Sequence, residues 1–281
     1  MQVIREAQKL DFALKKNRRT KSIGFVPTMG ALHAGHLSLI RQAAKDNHIV
    51  VVSIFVNPEQ FGPKEDLKKY PRPLKNDLKL CRKCGVDFVF LPDNKSMYPS
   101  GFSTFVGVEG LSNVLCGALR PGHFRGVATV ITKLLNIIRP DALYLGQKDS
   151  QQAIIIARMI KDLNFPVKLK IMPIVREDDG LALSSRNIYL NKKERSDAVV
   201  LSKALRLAES LINGGQRNGY VIINRMKQLI AKKKTAKIDY IAIVDLNNLR
   251  PLKKLSEKCL IALAVKIGHT RLIDNSIINI I

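Results

Sequence analysis

The chain has 281 residues, 46% of them apolar, enough for one large domain or two of ordinary size with a substantial core. Lys and Arg outnumber Asp and Glu by 47 to 23, for a formal charge of +24. The basic residues lie in short, scattered clusters (Lys15-Lys16-Asn17-Arg18-Arg19, Lys192-Lys193, Lys232-Lys233-Lys234, Lys253-Lys254). With no zinc-finger spacing and no aromatic strand signature, a dedicated nucleic-acid module is not indicated. A solvated basic surface, or a field that draws in an anionic substrate, fits better, and non-specific nucleic-acid binding in the test tube is expected. No apolar run is long enough to span a bilayer, and Met1 to Glu6 have no apolar signal core, so a cytoplasmic location is expected. The four cysteines, Cys81, Cys84, Cys116 and Cys259, do not form a disulfide framework in a chain of this type. Cys81 and Cys84 have the spacing of a zinc half-site but no second pair, and they read as structural thiols.

In chain order, residues 2–18 read as an amphipathic helix, with Val3, Ile4, Ala7, Leu10 and Leu14 on one face. Ile23-Gly24-Phe25-Val26 reads as a buried strand. A Gly-rich turn follows, Pro27-Thr28-Met29-Gly30-Ala31-Leu32-His33-Ala34-Gly35-His36, and then a helix begun by Leu37, Leu39 and Ile40. A helix N-terminus carries unpaired N–H groups and a partial positive charge, which suit phosphate. No Gly-Lys-Ser/Thr follows, so this is not a Walker loop. Ile49 to Val56 is apolar almost throughout, as befits a strand buried on both faces of a parallel sheet. Strand, helix and strand make a βαβ unit of a doubly wound sheet, whose ligands bind beyond the carboxyl ends of the strands.

Residues 57–73 form a long, Pro-punctuated loop, a candidate lid. Leu74 to Cys84 reads as a helix, residues 86–90 as a strand, and 91–122 as irregular. A helix is expected over 127–138, a short strand over 142–145, a helix from Ser150 to about Leu163, and a strand over 167–175. Arg176 to Gly180 is polar and turn-rich, a linker. Beyond it, helices at about 194–213 and 217–233 alternate with strands at about 238–244 and 259–266. The fold class is therefore α/β. Residues 1–175 form a doubly wound, Rossmann-like domain, and residues 176–281 form a smaller α+β domain, a candidate lid.

The His33-x-Gly35-His36 pattern resembles that of class I aminoacyl-tRNA synthetases and related nucleotidyl transferases. The full ordered set of motifs is more specific. It runs Pro27-Thr28-Met29-Gly30, Leu32-His33-x-Gly35-His36, Asn57-Pro58-x-Gln60-Phe61, Glu65-Asp66 and Tyr70-Pro71-Arg72. It continues with Arg120-Pro121-Gly122-His123-Phe124-x-Gly126, Gly146-x-Lys148-Asp149-x-Gln151-Gln152, Asp179-Gly180-Leu181-Ala182, Ser184-Ser185-Arg186-Asn187 and Thr270 to Asn275. Nearly end to end, the chain resembles the pantothenate synthetase (pantoate–β-alanine ligase) family.

The resemblance implies a two-step reaction. Pantoate attacks the α-phosphorus of ATP to give pantoyl adenylate and pyrophosphate, and the amine of β-alanine then displaces AMP to give pantothenate, a coenzyme A precursor. It implies catalytic roles for His36, His33, Lys148 and Arg186. It places ATP against Met29, Gly30, Ala31, Leu32, His33, Ala34, Gly35 and His36. Gly146, Gln147, Lys148, Asp149, Val175, Leu183, Ser184, Ser185 and Arg186 complete that site. Pantoate falls to Gln60 and Gln152, with Gln60 also touching β-alanine. Asp77 is a candidate carboxylate on the Mg²⁺ side, with a solvated helix face as the competing reading. A homodimer is implied as well. Two other readings compete: a nucleotidyl transferase that needs no amine, and a non-enzymatic RNA-binding protein suggested by charge alone.

Overall fold

The computed structural model describes residues 1–63 and 65–280. Lys64, within the loop read as a candidate lid, lies outside the described residues. The chain falls into two compact units. One comprises Met1–Asn113, Gly117–Gly146 and Gln151–Pro173; the other comprises Val114–Cys116, Gln147–Ser150 and Ile174–Ile281. The second unit thus begins at Ile174 and takes in two short earlier segments.

The first unit is built on a six-stranded sheet of strands β1 (Gln2–Ile4), β2 (Ile23–Thr28), β3 (Ile49–Ile54), β4 (Phe88–Phe90), β5 (Ala142–Gly146) and β6 (Lys168–Met172). All pairings are parallel, in the order β1-β4-β3-β2-β5-β6. The chain moves outward from β2 through β3 to β4, then crosses to β5 on the other side. The order therefore reverses between β2 and β5, where doubly wound sheets bind ligands.

The helices are α1 (Ala7–Lys15), α2 (Ala34–Asp46), α3 (Leu74–Lys83), α4 (Asn94–Met97), α5 (Cys116–Leu119), α6 (His123–Ile138) and α7 (Ser150–Asp162). Alternate strand residues serve opposite layers. Ile23, Phe25, Ile49, Val51, Leu143 and Leu145 pack with residues of α1, α6 and α7. Val26, Val50, Val52, Ile54, Ala142 and Tyr144 pack with α2 and α3. A period of two on strands covered on both faces produces this pattern, and each fully buried aliphatic or aromatic side chain contributes about 1.5–3 kcal/mol.

Four expectations fail locally. Residues 91–122, read as irregular, hold the short helices α4 and α5, and the helix expected at about 194–213 is two, Lys192–Ala198 and Val200–Asn213. The stretch read as one helix over 2–18 divides, because Gln2–Ile4 pairs with Phe88–Phe90 and the helix begins only at Ala7. The β-branched pair Val3-Ile4 suits a strand, and a backbone partner far along the chain supplies what a helix would have supplied locally. The helix expected from 127 starts at His123, after Gly122 takes φ +82° at its N-cap, a conformation that favours glycine.

The second unit packs helices α8 (Lys192–Ala198), α9 (Val200–Asn213) and α10 (Gly219–Ala231) with an antiparallel sheet of β7 (Ala236–Asp245), β8 (Lys258–Ile267) and β9 (Thr270–Asn279). Its core joins Leu201, Leu205 and Ala208 of α9 and Ile222, Met226 and Ile230 of α10 to Ile243, Ile261, Leu263 and Val265 of the sheet. Strand β9, whose Thr270–Asn275 stretch entered the sequence reading only as one of the ordered family motifs, is paired with β8 along its whole length. Among the described residues no helix is long and apolar enough to cross a membrane.

Candidate active site

In the first unit the site grows from the carboxyl end of β2. Thr28 Oγ1 donates to the Ser53 carbonyl of β3 (2.8 Å) and accepts the Gly30 N–H (3.1 Å), which turns the chain. Gly30 has φ +84° and Ala31 φ +52°. A left-handed alanine is strained by about 1–2 kcal/mol, so something must hold it. That restraint is Asp77, in the first turn of α3. Its two oxygens accept the Ala31 and Leu32 N–H groups, each at 2.9 Å. A Cβ on Gly30 would sit 3.0 Å from the same carboxylate.

This changes the reading of Asp77. The residue is buried, 1% exposed, so it is not on a solvated helix face. Burial pushes its carboxyl above the usual range, and the N–H groups of Leu32 and Ala31 pull it back. Both oxygens are engaged by backbone, and among the described residues no three His, Cys, Asp or Glu side chains gather as a metal cage. Through these two bonds the carboxylate holds the turn.

The histidines close the turn onto α2. His33 is the N-cap; its Nδ1 accepts the Gly35 N–H at 3.1 Å, and the His36 Nδ1 accepts the backbone N–H of His33 at 3.4 Å. This is a reciprocal capping arrangement made by two imidazoles. Their ring centroids are 4.1 Å apart. A Cβ on Gly35 would fall 2.9 Å from the His33 ring, so glycine is what lets that ring fold over the helix start. A ring nitrogen that accepts carries no hydrogen, so the hydrogen-bond network assigns both neutral rings the tautomer with the proton on Nε2. The helix start therefore carries two Nε2–H donors.

Gln60 lies in a 3₁₀ turn, Pro58–Gln60, beyond the end of β3. Its Nε2 donates to the sulfur of Met29 at 3.0 Å. Buried Asn57 donates to Gln60 Oε1 and to the Gly126 carbonyl of α6, both at 3.1 Å, and accepts from the Tyr98 hydroxyl at 2.7 Å. With its oxygen held by Asn57, Gln60 presents its NH₂ group toward Met29. His123 Nδ1 donates to the Gln60 carbonyl at 2.7 Å and its Nε2 accepts from Arg120 at 3.1 Å. Arg120 in turn makes a two-pronged ion pair with Glu65. Burial acts to raise the Glu65 carboxyl, but the Arg120 hydrogen bond and charge, with His123, hold it below its ordinary range. Asn57, Arg120 and His123 were legible as motif members, but nothing local showed that they converge on Gln60. Gln152 lies in the first turn of α7, after β5. Its neighbour Gln151 is buried and donates to the Leu111 carbonyl at 2.9 Å.

In the second unit, Gln147–Asp149 form a 3₁₀ turn and Lys148 lies 3.9 Å from Asp149. Asn275 of β9 donates to the carbonyls of Gln147 and Lys148, both at 2.9 Å, and accepts from the Gln147 amide at 3.3 Å. The preceding residue, Asp274, pairs with Arg176 at 2.6 and 2.9 Å. The supposed linker is thus anchored. Arg176 bridges to Ala182, and Leu183 N–H donates to Val175 at 3.0 Å. Gly180, at φ +95°, makes the intervening turn. Ser184 Oγ then accepts the Arg186 N–H at 3.3 Å, capping a 3₁₀ turn over Ser185–Tyr189. So the structure joins the Lys148 turn and the Val175–Arg186 segment through two adjacent residues of β9. The structure gives Asp274, Asn275 and Arg176 roles that sequence reading did not.

Comparison with known proteins agrees with this architecture. A family model described as pantoate-beta-alanine ligase matches residues 2–277. Pantothenate synthetase of Moorella thermoacetica is 52% identical over 270 residues, 96% of this chain and 95% of that protein. That of Fervidobacterium nodosum is 53% identical over 279 residues, 99% of each. Among solved structures, pantothenate synthetase from Thermus thermophilus superposes with a TM-score of 0.94 at 42% identity, covering 98% of this chain and 99% of that one. Pantoate-beta-alanine ligase from Francisella tularensis, solved in complex with beta-gamma ATP and beta-alanine, gives 0.81 at 36% identity, covering 98% and 97%. The chain belongs to the pantoate–β-alanine ligase family.

Proposed function

We propose that this chain uses the residues described above to condense pantoate with β-alanine through a pantoyl adenylate, with ATP cleaved to AMP and pyrophosphate. The family's reaction is that condensation, and the chain is an enzyme of that family. The observation that carries the residue-level reading is the pair of reciprocally capped imidazoles at the carboxyl end of β2, beside the strand-order reversal. Attack of the pantoate carboxylate on the α-phosphorus loads negative charge on the phosphoryl oxygens. The His36 and His33 Nε2–H groups donate to those oxygens as neutral rings, so no full proton transfer is needed. Lys148 and Arg186 offset the charge of the triphosphate. Gln60 and Gln152 hold the hydroxyl and carboxylate of pantoate, Gln60 as a donor. The β-alanine amine then attacks the acyl carbon, forming the amide and expelling AMP.

Mg²⁺ accompanies the nucleotide in this reading. The described residues make no protein cage for it, which fits an ion that keeps water and binds through substrate phosphates. The family resemblance also supports a homodimer and a cytoplasmic setting.

The test is to supply pantoate, β-alanine and Mg-ATP and to follow AMP, pyrophosphate and pantothenate. Pyrophosphate release that needs pantoate, and AMP release that needs β-alanine, are expected. His36→Ala should fold and lose at least about tenfold in adenylate formation, the scale of one lost transition-state donor. Unchanged turnover in that variant would remove His36 from the mechanism. Nucleotide transfer that needs no amine would favour the nucleotidyl transferase instead.

A further inference from the structure

Strand β9 carries two adjacent buried polar residues, Asp274 and Asn275, each 2% exposed. Consecutive residues of a strand face opposite sides of the sheet, so these two serve different neighbours. Asn275 uses both amide hydrogens on the Gln147 and Lys148 carbonyls, and its oxygen on the Gln147 side chain. Its side-chain hydrogen bonds therefore fix the dipeptide that carries Lys148. Asp274 holds both prongs of Arg176, whose Nη1 also donates to the Gly180 carbonyl at 3.0 Å. That fixes the root of the turn leading to Ser184 and Arg186. The Asp274 carboxyl also accepts the Asn275 N–H at 2.8 Å, so the two anchors are themselves linked.

Asp274 is buried while its partner Arg176 is partly exposed, and taking a carboxylate out of water offsets much of what such a pair gains in stability. Burial drives the Asp274 carboxyl upward against the pull of Arg176, which shows the desolvation it carries. What the arrangement does supply is geometry. Strand β9 is paired with β8 along ten residues. A rigid element therefore sets the backbone of two segments that bear cations.

We infer that Asp274 and Asn275 are positioning residues for the adenylation step, Asn275 aiming Lys148 and Asp274 rooting the segment that ends in Arg186. The inference rests on the proposed use of Lys148 and Arg186 on the nucleotide. Neither β9 residue needs to touch substrate.

The experiment is a double-variant cycle on the full-length enzyme, read by pantoate-dependent pyrophosphate release. Asn275→Ala is expected to lower the rate about tenfold and to raise KM for ATP while leaving KM for pantoate within about twofold. In a Lys148→Ala background the same substitution is expected to add less than about twofold, because the group it aims is gone. An equal factor in both backgrounds would overturn the inference and leave the role of Lys148 standing. Full activity of Lys148→Ala alone would instead overturn the reading of Lys148, and this inference with it. Should Asn275→Ala not fold, Asn275→Asp keeps the volume, offers no amide donor, and goes through the same cycle with the same two outcomes.

Discussion

The hydrogen bonds from Ala31 and Leu32 to Asp77 show how one side chain shapes a turn. A left-handed alanine and the glycine before it hold their conformation because a buried carboxylate accepts the next two N–H groups. Asp77→Asn keeps the shape but faces one of those N–H groups with an NH₂. A buried donor is then left without an acceptor, which costs about 1–3 kcal/mol. Chemical denaturation should show that loss, and adenylate formation should fall with it, since the same turn sets His33. Full stability and activity in Asp77→Asn would show that the turn holds without the carboxylate.

At the scale of elements, the 3₁₀ turn bearing Gln60 lies against α6 at Gly126. A Cβ there would sit 2.1 Å from the Glu59 carbonyl oxygen and 2.7 Å from the Gln60 nitrogen. Those are backbone atoms that cannot swing aside. Gly126→Ala should separate turn and helix, destabilise the fold by about 1–3 kcal/mol and raise KM for pantoate about tenfold. KM for ATP should change little. A pantoate KM that does not move would separate Gln60 from substrate binding.

The Glu65–Arg120 pair ties the following loop to the segment before the same helix. The Glu65 carboxyl is held below its ordinary range in the fold. Its stabilising contribution is therefore complete above the unfolded carboxylate range and is lost as pH falls through the lowered folded value. The gap in Tm between the parent and Glu65→Gln should shrink as the solution is acidified through that window. A gap independent of pH would mean that the pair's charge contributes nothing.

At the scale of the whole molecule, a formal charge of +24 surrounds a reaction whose substrates include ATP and a carboxylate. Such a surface concentrates anions at low ionic strength and binds polyanions without reading their sequence. Binding to unrelated RNA oligomers should be equally tight for all sequences and fall by orders of magnitude between about 50 and 200 mM salt. Pantothenate synthesis should persist at the salt that abolishes it. Sequence-selective RNA affinity that survives high salt would revive the RNA-binding reading.

Periodicity and local motifs were enough to read the strongly apolar β3, helix α3 and the strand–turn–helix around His33 and His36, because their signals lie within a few residues. The ordered motifs were enough to read the family. Partners distant in sequence decided the rest. Gln2–Ile4 became a strand only because β4 offered a parallel edge, and Thr270–Asn279 because β8 offered an antiparallel one. Asp77 could be placed on a helix from sequence, yet its task depends on two N–H groups more than forty residues earlier. Asn275 finds its carbonyls 127 and 128 residues away. Hydrophobic spacing records which face of an element turns inward; it holds no record of which polar atoms meet once the faces pack, and that is settled only when the folded chain satisfies its buried donors and acceptors.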